Sequence, residues 1–243
     1  MPVHRAVTQR RNPRHHPERH RSKIAGWFRA SVLGANDGIL STGALLLGVA
    51  SANASHAGLI TAGVAGIAAG AGSMAIGEFV SVSAQGDSQR AERAMEAKEL
   101  SADPIGETKE LSAIWHARGL SADLAAEVAE ALMAHDPLEA HLRDELGFSP
   151  ENEARPVLAA VTSFFSFAVG GLIPMLIAIW VGVDFREQAI TAATILGLLG
   201  LGALAAFLGG GSVGRGALRI GLGGLVALAI SFGVGALVGS AVA

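Results

Sequence analysis

The sequence predicts an all-α integral membrane protein: five transmembrane helices, with a helical, polar insert between the second and third. Three observations carry this. The 243-residue chain is 51% hydrophobic with 32 glycines and a mean hydropathy of +0.45, too apolar for an ordinary soluble domain. Five apolar runs reach the roughly 20 residues needed to cross a bilayer core. Between the second and third runs lies one polar segment, residues 85–155.

In chain order, residues 1–29 hold eight Arg/Lys against one Glu and read as a basic tail. The tail has no apolar core or small-residue cleavage site, so no signal peptide is expected. The spans run over Ala30–Ala52, Ala57–Ala84, Val157–Val183, Ala189–Gly211 and Ala217–Ala243, grouping residues 30–84 and 156–243 as membrane portions. In the insert, helical spacing breaks at Asp103-Pro104, Gly119, Asp136-Pro137 and Gly147-Phe148, giving three or four short helices. Asp103, Ser121 and Asp136 are their candidate N-caps, two of them followed by proline. Residues 88–155 carry fifteen Asp/Glu against seven Arg/Lys, so this part is acidic. The positive-inside bias puts the tail and insert in the cytosol, leaving only Arg186 of the eighteen Lys/Arg outside. Small-residue pairs Gly34/Gly38, Gly66/Gly70 and Gly235/Gly239 allow close helix approach, within one bundle or across a dimer contact.

Ionisable residues at membrane depth cost about 2.5–3.5 kcal/mol even on lenient scales, and mark ion or proton pathways. Asp37 lies about 10 Å into the first span. The second span returns from outside, bringing Met74 and Glu78 to the same half of the bilayer. Met74, Glu78, Ser81 and Gln85 share one helical face, and Asp37 shares another with Gly34, Gly38 and Ser41. No Lys or Arg on these faces neutralises the carboxylates. Two hard oxygen donors and one thioether at matched depth form a candidate metal site. Helix capping by Asp37, packing by Met74 and solvation of Glu78 are the plainer alternatives.

In the insert, Glu92, Glu96, Glu99 and Asp103 form a stripe on one helix face, followed by the Glu107/Glu110 pair and by His141 and Glu145 at i, i+4. Like charges one turn apart repel, and a bound dication reverses that penalty. Oxygen-rich sets with one imidazole suit Fe(II), Mn(II) or Zn(II). A solvated acidic face is the commoner meaning of such a run.

The first-span stretch "LGANDGILSTGALLLGVA", the second-span "MAIGEFVSVSAQGD", the paired "EAKE" and "ETKE" and the "DELG" before the third span resemble the vacuolar iron transporter family of divalent-metal transporters. The resemblance covers nearly all of the chain after about residue 22. It implies a homodimer of five-helix subunits with a metal path lined by Asp37 and Met74, and a cytosolic domain binding metal through Glu96, Glu99, Glu107, Glu110 and Glu145. It also implies exchange of Fe(II), and often Mn(II), for protons, clearing metal from the cytosol. The chain departs from well-known members where they carry a Met-Met pair before the last glutamate: here stand His141 and Leu142.

The expected function is proton-coupled export of a divalent metal, with Fe(II) or Mn(II), and also Zn(II) or Co(II), as cargo and no resident cofactor. A membrane-anchored metal sensor or buffer is the alternative, which would have no need of the Asp37, Met74 and Glu78 depth match. An enzyme is not expected, since no nucleophile–base arrangement or nucleotide-binding loop stands out. The tail's His4, His15, His16 and His20 among arginines suit metal or anionic lipid, and disorder with lipid attraction is the safer reading; no nucleic-acid partner is expected. His56, at the outer turn, reads as incidental more readily than as an aid to metal or proton release. The Ala/Gly/Arg-rich composition leans towards a bacterial inner membrane.

Overall fold

The computed structural model describes residues 26–149 and 153–242, with no strand among them. The basic tail lies outside the described residues as far as residue 25. In order, the helices are α1 Gly26–Ser51, α2 His56–Ala102, α3 Pro104–Ala117, α4 Ala122–His135, α5 Pro137–Asp144, α6 Pro156–Trp180, α7 Arg186–Gly209 and α8 Val213–Val242. A 3-10 turn, Val183–Phe185, leads into α7. Helices α1, α2, α6, α7 and α8 are long and apolar enough to cross a membrane, at the positions the apolar runs predict.

Helix α1 lies at the centre, packed on α6, α2, α7 and α8, while α2 runs along α6 and α7 along α8. Small residues make this possible. A Cβ on Gly38 would overlap the Phe167 carbonyl, and one on Gly34 would stand 3.0 Å from the Ser163 oxygen. On the other side of α1, Gly235 faces the Gly48 carbonyl, and a Cβ on Gly239 would come within 2.8 Å of Ala52. Both pairs serve contacts inside one subunit. Leu46, Leu47, Leu59, Met175, Ala178, Ile190 and Leu228 fill the bundle core. Large apolar side chains such as Leu172, Leu196, Leu225 and Leu237 point outward, the reverse of a soluble domain and the arrangement that lipid favours.

This packing yields a stability prediction. Gly38→Ala should destabilise the bundle by about 1–3 kcal/mol through overpacking against α6. Gly223→Ala, where nothing lies within 4 Å of the added methyl, should be stabilising by roughly 0.5–1 kcal/mol. Thermal unfolding in detergent reads both, and equal midpoints would contradict the α1–α6 contact.

The boundary drawn at residue 85 falls inside a helix. Helix α2 spans 47 residues, about 70 Å at 1.5 Å per residue, whereas the hydrocarbon core is about 30 Å thick. The helix is therefore some 40 Å longer than a bilayer core requires. Nothing breaks the helix before Asp103, which ends it and caps α3 by accepting from the Gly106 N–H at 2.9 Å. Ser121 caps α4 and Asp136 caps α5 in the same way. Leu111, Ala129 and Ala140 pack with Trp115, Leu132 and Met133 into a small core holding α3, α4 and α5 together.

Candidate metal sites

Site geometry in the insert begins with a brace. Arg118, at the end of α3, donates to Asp144 Oδ1 at 3.0 Å and stacks on Trp115 at 4.8 Å. Arg143 donates to the other Asp144 oxygen at 2.8 Å. These hydrogen bonds, with Arg143 contributing most, hold the Asp144 carboxyl below its ordinary range despite its burial. The brace pins α5 against α3 and fixes where His141, one turn earlier, can point.

His141 is fully buried, and three carboxylates from three segments surround its Nδ1. Glu145 Oε2, just past α5, and Glu96 Oε1, on α2, each lie at 3.1 Å, and Glu107 Oε2, on the first turn of α3, lies at 3.8 Å. One nitrogen can satisfy only one of them: it is aligned for a hydrogen bond with Glu145, while Glu96 Oε1 is buried with no hydrogen-bond partner. His141 Nε2 is likewise buried and unpartnered.

Burial chiefly pushes the Glu96 carboxyl above its ordinary range; His141 opposes this, and Glu145, Glu107 and Glu99 add to it. The Glu107 carboxyl is raised by burial first and by Glu110 next, against the opposing effect of His141. A buried group of carboxylates around one imidazole, with Glu96 Oε1 and His141 Nε2 unpartnered, has the donor set to hold a dication. Ligand bonds of about 2.1 Å place neighbouring donors about 3.0 Å apart around a six-coordinate ion, close to the 3.1 Å seen twice around Nδ1. Glu96, Glu107 and His141 each offer a ligand atom, all within 4.8 Å of one another. Glu99 and Glu110 are exposed; besides burial, the charge of Glu99 raises the Glu96 and Glu107 carboxyls, and that of Glu110 raises Glu107.

The membrane site is a cavity of about 270 Å³ lined by Asp37, Ser41, Thr42 and Leu45 of α1, Gly66, Gly70, Ser73 and Met74 of α2, and Phe167 of α6. Asp37 and Met74 thus face one space. They lie 14 and 18 residues from the α1–α2 turn, about 21 and 27 Å along their helices. Ser41 Oγ donates to Asp37 Oδ1 at 2.6 Å, one turn apart on the same face. Glu78, a turn beyond Met74, is half-buried and not among the lining residues. Phe167 was not legible in advance, because it arrives from a helix about 130 residues away in sequence and no periodicity on α1 or α2 points to it.

Fold and sites together define a polytopic helical membrane protein that gathers a carboxylate and a thioether in a cavity of the apolar bundle, and carboxylates around one imidazole in the helical insert. The VIT family model matches residues 28–236. A vacuolar iron transporter from Acanthamoeba castellanii is 44% identical over 225 residues, covering 90% of this chain and 82% of that protein. Vacuolar iron transporter homolog 1 of Oryza sativa is 38% identical over 215 residues, covering 86% and 73%. Vacuolar iron transporter homolog 4 of Arabidopsis thaliana is 34% identical over 220 residues, covering 90% and 87%. The chain belongs to the VIT family, whose members are transporters and not enzymes. The lean towards a bacterial inner membrane finds no support in these relatives, which are eukaryotic and named for the vacuole.

Proposed function

We propose that the protein moves Fe(II), and also Mn(II), out of the cytosol in exchange for protons, as a homodimer. The observation that carries this reading is the bilayer cavity that Asp37 and Met74 share. A carboxylate and a thioether facing one space at membrane depth offer a borderline dication a hard and a soft donor. Glu78 lies one turn nearer the insert on the same helix, where a carboxylate can take up or give back a proton as the ion leaves.

The insert supplies the collecting site. Glu96, Glu107, His141 and Glu145 hold the ion, while the exposed Glu99 and Glu110 draw cations towards it. Helix α2 carries both Glu96 and Met74, 22 residues apart on one unbroken helix, about 33 Å. The ion therefore passes from insert to membrane along a continuous element. Protonation weakens a carboxylate's hold on a cation, which gives proton exchange a physical route. The Lys/Arg distribution supports the orientation, with the insert in the cytosol.

A sensor or buffer would bind and move nothing. Sealed vesicles bearing the protein with its insert outward should accumulate Fe(II) far beyond one ion per binding site. Uptake that stops at the number of protein sites would favour the sensor.

A further inference from the structure

At the bundle face opposite the insert, the first residue of α2, His56, meets the first residue of α7, Arg186. Arg186 is only 8% exposed, its Nε is buried without a partner, and one terminal nitrogen donates to His56 Nδ1 at 3.0 Å. Among the described residues no carboxylate pairs with this guanidinium. Its acceptor among the described residues is an imidazole.

We infer that His56 and Arg186 form a proton-released strap, which ties the outer end of α2 to α7 while His56 is neutral and frees it when His56 is protonated from that side.

The chemistry follows from the atoms. Imidazole accepts a hydrogen bond only through an unprotonated nitrogen, so the contact places the ring hydrogen on Nε2. A protonated ring has no acceptor to offer and sets a second cation 3.0 Å from the first. Both residues also sit at helix N-termini, where the macrodipole disfavours added positive charge. The other segments meeting there contribute little to offset this. The last turns of α1, α6 and α8 contain no titratable side chain, while the turn before α7 and its first turn contribute Asp184 and Glu187. Neither pairs with Arg186.

Topology gives the strap its leverage. Within the bundle α2 packs along α6 and α1 and has no extended contact with α7. The His56–Arg186 bond thus adds a polar tie at the rim of the core that Leu59 of α2 shares with Ile190 of α7. Acid on the outer face would release the end of α2 remote from the insert.

The chain has no cysteine, which makes the test direct. Ala57→Cys and Gln188→Cys are exposed positions beside the two partners. With spin labels there, in the metal-free full chain in lipid nanodiscs, the distance should be short at neutral pH and longer in acid that protonates histidine. In His56→Gln, which keeps an acceptor and loses the titration, the distance should stay short at both. An unchanged distance in the parent, or the same lengthening in His56→Gln, overturns the strap. Because no metal is present, neither outcome depends on the transport mechanism.

Discussion

Asp37→Asn should leave a folded protein that has lost most of its metal flux. The amide keeps the shape of the carboxylate, and its oxygen can still accept from Ser41, which donates to Asp37 at 2.6 Å. What disappears is the negative charge facing the cavity shared with Met74. A hydrogen bond or ligand contact to a charged group is worth about 1.5–3 kcal/mol, so ion binding should weaken roughly 10- to 150-fold. Flux in vesicles should fall by at least about tenfold at limiting metal. Ser41→Ala, which removes a partner and leaves the charge, should cost much less. Near-parental flux in well-folded Asp37→Asn would mean that the ion does not use this cavity.

Glu96→Gln should abolish the insert's metal response and stabilise the metal-free protein. Loss of a ligand should lower affinity by about 100-fold or more, since changes to supporting partners alone cost about 10–100-fold. The stability effect follows from burial. Glu96 is 3% exposed, and its carboxyl is held above the ordinary range. A raised carboxyl contributes stability that is fully present below its unfolded-state pKa and is lost as pH rises through the folded value. Above that value the metal-free cluster carries a carboxylate charge that burial disfavours, which the glutamine removes. Each kcal/mol so recovered should raise the unfolding midpoint by about 2–4 °C, with the gain over the parent shrinking as pH falls towards 4.5. Added Fe(II) should raise the parent's midpoint and leave that of Glu96→Gln unmoved. If the variant is less stable without metal, the cluster is an ordinary hydrogen-bonded core and not a cation site.

Local chemistry made much of this readable from the chain. Apolar length located the five spans, and Asp103, Ser121 and Asp136 announced their helices because a side-chain cap needs only residues three positions apart. The glutamates of the insert were visible as a stripe for the same reason. Long-range placement was not visible. That His141 lies between α2, α3 and α5 depends on the brace of Arg118 and Arg143 on Asp144, three residues that as a sequence look like ordinary surface charges. Depth matching put Glu78 beside Asp37 and Met74, but the crossing of α1, α2 and α6 decides which turns of α2 face the cavity, and it selects Met74 and Ser73. Arg186 looked like an isolated outer cation, although its burial against His56 joins segments 130 residues apart.

Metal and protons are proposed to exchange through one protein. The exchange is tested by recording both in the same vesicles, with a metal-sensitive chelator dye and a pH dye trapped in the lumen and the insert facing outward. Fe(II) entry should speed up when the lumen is acid, and each pulse of metal should drive luminal pH upward, both effects being blunted in Glu78→Gln. Metal entry that ignores the pH gradient and moves no protons would contradict exchange and leave a uniporter or channel.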